Sequence, residues 1–419
     1  LKALFKMNEV MDKKEKMVPE LRFKEFKEKW SVIPNPIKIQ SGVAYAMNDY
    51  VEHGALLVQG FNIGPGYLKI DEPYYISTLL DRKHVEVKNR DILLALNRPI
   101  TNGKLKICQY TLEKPAFLYQ RAGKLVFNVN RLTGNFIYQY LRTPQLLKKI
   151  LLELVGSDQP YIRSDLFEVI KIKFPSLPEQ QKIANFLSAV DQKIQQLQRK
   201  KELLTQYKKG MMQKLFNQEI RFKPDPTEAS GDEQGNDFPE WEEKKLGEVC
   251  TVNPKVLNLP QNFNYIDLES VSKGQLTQRK RIDLEEAPSR AQRYLSRNDI
   301  LYQTVRPYQM NNYFFDLKGE YVASTGYAQL RPVENPIFLY QKIHDQNFVN
   351  KVLVRCTGTS YPAINSKDLA KIKIEFPSLP EQQKIANFLS ALDEKVAQVG
   401  QQIEQAQRFK KGLLQKMFV

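Results

Sequence analysis

From Ile183 onward the chain keeps alternating steps of four and three, most of them apolar: Ile183, Leu187, Val190, Ile194 and Leu197, then past Lys201 to Leu204, Lys208, Met211 and Leu215. The rhythm returns at Ile385, Leu389, Leu392, Val396, Val399 and Ile403, then Ala406, Lys410, Leu413 and Met417. A heptad seam of this kind predicts a helix whose stripe packs against another helix. Each helix opens on Ser-Leu-Pro-Glu, at Ser176 and at Ser378. This reads as a capping box, with the serine oxygen taking a first-turn amide and the glutamate reaching back. Pro178 and Pro380 fall in the first turn, where a missing N–H costs little. At about forty residues, each helix is roughly 60 Å long. A lone amphipathic helix leaves its stripe in water. The two are therefore expected to pair as an antiparallel coiled coil. Folding of each helix onto its own globular half, or pairing between two copies of the chain, also fits the pattern.

Elsewhere the pattern shortens to β-like runs, at 55–59, 91–96, 104–110 and 125–128, and again at 265–268, 299–304, 313–317 and 321–324. Turn residues separate them, as at 62–66 and at Asn102-Gly103. One helical stretch follows each set, at 135–154 and 335–355. The expected class is α+β: two domains with mostly antiparallel sheets, separated by two long helices, with a pseudo-two-fold internal repeat.

The repeat is literal in places. FPSLPEQQKIANFLSA stands at 174–189 and, unchanged, at 376–391, an offset of 202. At that offset the likeness runs without a gap from Phe136 to Phe216. Farther back the offset drifts, yet Asp91-Ile-Leu and Arg98-Pro99 still resemble Asp299-Ile-Leu and Arg306-Pro307. The expected division is an N-terminal extension 1–17, a globular domain 18–165, a helical region 166–222, a linker 223–236, a second globular domain 237–367 and a helical region 368–419. The linker, rich in Pro, Gly, Asp and Glu, reads as exposed.

A buried seam tolerates apolar exchange, and Ile194 and Leu197 do become Val396 and Val399. In the identical block the outward residues match as well: Glu179, Gln180, Gln181, Lys182 and Asn185 against Glu381, Gln382, Gln383, Lys384 and Asn387. Equal outward faces suggest two equivalent docking sites for one kind of partner. A recent duplication or gene conversion would give the same identity.

Composition narrows the partner. A net charge of +16 favours a polyanion, most often nucleic acid. The loops after equivalent strands carry Arg98, Asn102 and Lys104 in one half, and Gln303, Arg306, Tyr308, Gln309, Asn311 and Asn312 in the other. Such side chains suit base edges and phosphates. Aromatics accompany them, Phe61, Tyr67, Tyr74 and Tyr75 in the first half and Tyr302, Tyr313 and Tyr327 in the second. A solvated polar loop and a tyrosine core are the plainer alternatives. No run of eighteen apolar residues exists, so no membrane segment is expected. The first residues lack the apolar core of a signal peptide, and Cys108, Cys250 and Cys356 form no CxxC pair. A reducing cytoplasm is the expected location.

Catalytic motifs are missing from the sequence. It has no [DN]PP[FYW] tetrad of amino-methyltransferases and no GxxxxGK[ST] phosphate loop. His53, His84 and His344 stand alone, suggesting no metal site. Pro224-Asp225 with Glu242-Glu243-Lys244 matches a loose nuclease spelling, but it lies in or beside the linker and reads as chance.

The two variable α+β halves, each followed by a helix beginning PSLPEQQKIANFLS, the stretch at 358–369 and the tail KKGLLQKMF together resemble the DNA-specificity subunits of type I restriction-modification enzymes. The resemblance spans nearly the whole chain. The first half departs from it at 156–164, where Gly-Ser-Asp-Gln-Pro-Tyr-Ile-Arg-Ser replaces the fuller motif of the second. It implies that each half reads one part of a split, asymmetric duplex target, and that the helices set the spacer. It implies two docked modification subunits carrying S-adenosylmethionine for adenine N6-methylation, and restriction subunits using ATP and Mg²⁺. The chain itself is expected to bind no cofactor or metal and to catalyse nothing. The rival expectations are a basic two-arm adaptor without base readout and, less so, a stand-alone nuclease.

Overall fold

The structure, a computed structural model, describes residues 17–78, 84–225, 237–358 and 360–419. Nearly all of the expected N-terminal extension and residues 226–236 of the expected linker lie outside the described residues. The chain divides into two compact units, 1–198 with 401–419, and 199–400.

Each unit has two principal sheets, and the strand orders correspond. In the first unit one sheet runs Ile107–Gln109, Ile92–Ala95, Ala122–Phe127, Ile37–Ser41, antiparallel throughout. In the second the order is Tyr313–Phe314, Ile300–Gln303, Tyr327–Pro332, Cys250–Val252, again antiparallel. The other sheet has a parallel central pair in both units: Ala55–Val58 beside Ala116–Leu118, and Asn262–Ile266 beside Tyr321–Ser324. Antiparallel strands flank those pairs, and the first unit adds Tyr50–Val51 at its edge. Ile92–Ala95 and Ile300–Gln303 are buried on both faces, which is why they read as continuous runs rather than alternating ones.

The helical stretches expected at 135–154 and 335–355 are each broken in two. Gly134–Tyr140 is followed by Pro144–Leu152, and Pro336–Lys342 by Gln346–Leu353. Pro144 has no amide to continue a helix, and Thr143 Oγ1 instead accepts Leu146 N at 3.3 Å as the cap of a new one. Asp345 stands at the N-cap of the second unit's later helix.

The long helices run Leu177–Phe216 and Leu379–Lys416. The start of the first shares a unit with the end of the second, and vice versa, so within each unit the two run antiparallel. Ile183, Ala184 and Leu187 share a core with Leu413, Leu414 and Met417, and also with Trp30 and Phe136. Leu215 and Phe216 likewise join Ile385, Ala386, Leu389 and Phe338. Helix pairing and packing onto the globular part, which the sequence left as alternatives, therefore occur together. Ile194, Leu197, Leu392 and Val399 are buried, while Val190, Val396 and Ile403 are half-buried. The helix ends plug the cores: Phe418 lies 6.1 Å from Trp30 and Phe216 5.9 Å from Phe338, ring centre to ring centre.

Candidate nucleic-acid interface

The start of each long helix is an anchor rather than an open face. Glu179 is buried, and Arg22 grips it with two bonds, Nε to Oε1 and Nη2 to Oε2, both 2.7 Å. Trp30 Nε1 donates to the same carboxylate at 3.4 Å. The second unit repeats the arrangement. Arg221 donates to Glu381 at 3.1 and 2.9 Å, and Trp241 Nε1 donates at 3.0 Å. Gln180 is fully buried; its Oε1 accepts Thr133 N, and its Nε2 donates to the carbonyls of Arg131 and Pro175. Gln382 bonds Asn335 N and Pro377 O in the same way.

Glu179, Gln180, Glu381 and Gln382 are thus not outward, as their sequence position suggested. The glutamates are bound to arginine and tryptophan instead of closing a capping box, and Ser378 Oγ has no partner among the described residues. A buried carboxylate must be paired, and that need claims them for the interior. Gln181, Lys182, Asn185, Gln383 and Asn387 stay exposed and Lys384 is half-buried. Gln181 bonds Asn185 at 2.6 Å and Gln383 bonds Asn387 at 2.7 Å. Lys182 and Lys384 pair with Glu25 and Asp225. Asp225 is therefore spent on Lys384, and Glu243 on Lys373. Among the described residues no three or more His, Cys, Asp or Glu side chains come together as a metal site would require.

Sequence reasoning missed the two arginines. Leu21-Arg22-Phe23-Lys24 and Ile220-Arg221-Phe222-Lys223 are a repeat, but at an offset of 199 instead of 202, so a walk at fixed offset passes it by. Phe23 meets Phe186, and Phe222 meets Phe388, edge to face at 5.9 and 5.8 Å.

A second matched pair links the helices. Lys208 Nζ donates to Asp393 Oδ1 at 2.6 Å, and Gln341 to Asp393 Oδ2 at 2.8 Å. In the other unit Lys410 and Gln139 converge on Asp191, joined by Arg142 at 3.2 Å. Burial alone would raise the Asp191 carboxyl, but Arg142 and Lys410 hold it below the usual range. Burial, with Arg142 nearby, pushes the Lys410 ammonium down to about 8. A charged residue inside an apolar seam fixes register at some cost in stability.

The recognition loops divide unevenly. Arg98, Asn102 and Lys104 are all exposed. Asn102 and Gly103, with φ of 48° and 68°, turn the hairpin of Ile100–Thr101 with Lys104–Leu105, as an Asn-Gly pair does best. In the second unit Tyr308 and Gln309 are exposed and Arg306 is half-buried. Gln303 and Asn312, expected at the surface, are buried: Asn312 Oδ1 accepts Gln303 N at 2.9 Å, and Gln303 Nε2 donates to Gln309 Oε1 at 3.0 Å. Asn311 Nδ2 donates to Val271 O at 2.6 Å. Strand ends leave backbone groups that need partners, and these amides supply them. Among the aromatics, Phe61, Tyr67 and Tyr74 are exposed, Tyr75 is half-buried, and Tyr302, Tyr313 and Tyr327 belong to the core.

Residues 5–206 and 239–408 match the family model of the type I restriction modification DNA specificity domain. The type I restriction enzyme MjaVIII specificity subunit of Methanocaldococcus jannaschii is 33% identical over 204 residues, 48% of each chain, so the match spans about half of that relative's length. The putative MjaX specificity subunit of the same organism is 26% identical over 339 residues, 77% of this chain and 76% of that one. The fold is similar to the crystal structure of a type I restriction-modification S subunit from M. genitalium, with a TM-score of 0.58 at 18% identity, over 96% of this chain and 99% of that one.

Proposed function

The chain belongs to the type I restriction-modification DNA specificity family, and from that premise we propose that each of its units reads one half of a bipartite, asymmetric target in double-stranded DNA. The observation that carries this reading is a duplicated frame bearing unlike loops. Strand order repeats between the units, while an Asn-Gly hairpin follows Arg98 and a 3₁₀ turn, Pro307–Gln309, follows Arg306. One frame with two loop chemistries suits two readers of different sequence. The charge of +16 supplies the phosphate attraction that makes such binding salt-dependent.

The long helices set the spacer between half-sites and carry two modification subunits, which the exposed Gln181, Lys182 and Asn185 and their counterparts help to dock. The chain catalyses nothing by itself. S-adenosylmethionine serves the modification subunits, and ATP and Mg²⁺ serve the restriction subunits. Half-sites about one duplex turn, roughly 34 Å, apart suit readers held by such a ruler.

The test is to sequence methylated adenines in cells expressing altered chains. Exchanging 237–367 for the equivalent segment of another family member should change one half-site only. Lengthening both helices by equal insertions should change the spacer and neither half-site. A change in both half-sites after the exchange would refute independent readers. Binding without sequence preference, by the complex with its modification subunits, would favour an adaptor, and cleavage by the isolated chain a nuclease.

A further inference from the structure

We propose that Arg306, held over the ring of Tyr361, is a guanine-reading arm of the second unit, and that the residue opposite each unit's strained arginine decides how firmly that arginine reads. The proposal rests on the DNA-specificity reading above and names a residue for it.

The seat is built twice. Arg98 and Arg306 both adopt left-handed backbone, with φ of 45° and 54°. Non-glycine residues stay there only where their surroundings over-determine it, which happens most at functional sites. In both units the determinant is a proline carbonyl: Arg98 N donates to Pro160 O at 2.8 Å and Arg306 N to Pro362 O at 2.7 Å. Gly156 and Gly358, with φ of 90° and 88°, make the turns that deliver those carbonyls. A Cβ at Gly156 would stand 3.0 Å from Gln159 O, and one at Gly358 3.1 Å from Tyr361 O.

The residue before each proline differs. In the second unit it is Tyr361, 63% exposed, and the Arg306 guanidinium carbon lies 4.3 Å from the centre of its ring. In the first it is Gln159, which has no ring to offer. The Arg306 guanidinium has no carboxylate or carbonyl partner among the described residues. A guanidinium lying on an aromatic face keeps its edge donors in one plane, facing outward. That planar fork matches O6 and N7 of guanine in the major groove. Tyr308 and Gln309, exposed on the same loop, flank it. Arg98, exposed and without such a platform, has the freedom suited to a phosphate.

The test uses the chain in complex with its modification subunits, assayed on a pool of duplexes randomised across both half-sites, with methylated products sequenced. Tyr361→Gln should cut the preference for guanine at one position of one half-site by about tenfold. Tyr361→Phe should keep it, and Arg306→Ala should abolish it at that same position. Gln159→Tyr should sharpen a position in the other half-site. Because Tyr361 is mostly exposed, thermal unfolding of the Tyr361 variants should match the parent. If Tyr361→Gln lowers methylation of all sequences alike, with a shallower salt dependence, Arg306 is a phosphate contact and the proposal fails. An unchanged preference overturns it too. Absence of any preference in the unaltered complex would overturn the specificity reading, and this proposal with it. A preference that ignores Tyr361 overturns the proposal alone.

Discussion

Arg221→Ala probes the anchor at the start of the second long helix. Glu381 is fully buried, and Arg221 supplies two of its three bonds, at 3.1 and 2.9 Å, with Trp241 the third. Removing the arginine leaves a buried carboxylate with one indole donor. Breaking a buried pair in this way costs about 3–5 kcal/mol. Two units with separate cores do not guarantee a single unfolding free energy, so the change is best read locally, by hydrogen exchange under native conditions. A loss of about 4 kcal/mol accelerates exchange limited by that unit's opening about a thousandfold. Peptides covering 241–252 and 379–400 should show it. Arg22→Ala should act in the same way on peptides around Trp30 and Ile183, since Arg22 grips Glu179 with two bonds of 2.7 Å. Arg221→Met combined with Glu381→Leu should recover most of the loss, because neither charge is then left unpaired. An acceleration below tenfold for Arg221→Ala, or a double variant as weak as the sum of the singles, would refute the anchor.

Lys342 is buried beneath the rings of Phe216 and Trp241, and burial pushes its ammonium down to about 8. The unfolded chain then binds more protons than the folded one between about pH 8 and 10.5, so this group makes stability rise with pH across that window. Lys342→Met should be the more stable protein at pH 7, by up to about 3 kcal/mol, and should lack that rise; parallel pH profiles from denaturant titration would contradict this. Gly42→Ala drives a Cβ to 2.2 Å from Leu118 O and should destabilise the first unit by over about 2 kcal/mol, read by its thermal unfolding. Replacing Gln181, Asn185, Gln383 and Asn387 together by alanine should weaken capture of the modification subunit in ultracentrifugation while leaving circular dichroism unchanged; undiminished capture would place docking elsewhere.

Much of this protein is legible in its sequence, because the signals are local and periodic. Steps of four and three from Ile183 and from Ile385 can be satisfied only by a helix with a covered stripe. The literal repeat at 174–189 and 376–391 requires two like units whatever their fold. Runs such as Ile92-Leu-Leu-Ala95 announce strands buried on both faces. Even the proline that ends the helix before 144 was in view, although the apolar spacing on either side of it hid the break.

What the tertiary structure alone decided is where polar side chains spend their hydrogen bonds. Glu179 and Gln180 look outward in a list of helix positions, but their partners, Arg22 and the backbone near Thr133, lie far away in sequence. Gln303 and Asn312 look like readers and are instead struts for a strand end, while Tyr361 looks like a loop tyrosine and carries an arginine on its face. A hydrophobic period is set by neighbours three or four residues apart, so sequence records it. The burial of a charge is settled by a counter-charge brought from elsewhere in the chain, and only the folded arrangement says which one arrives.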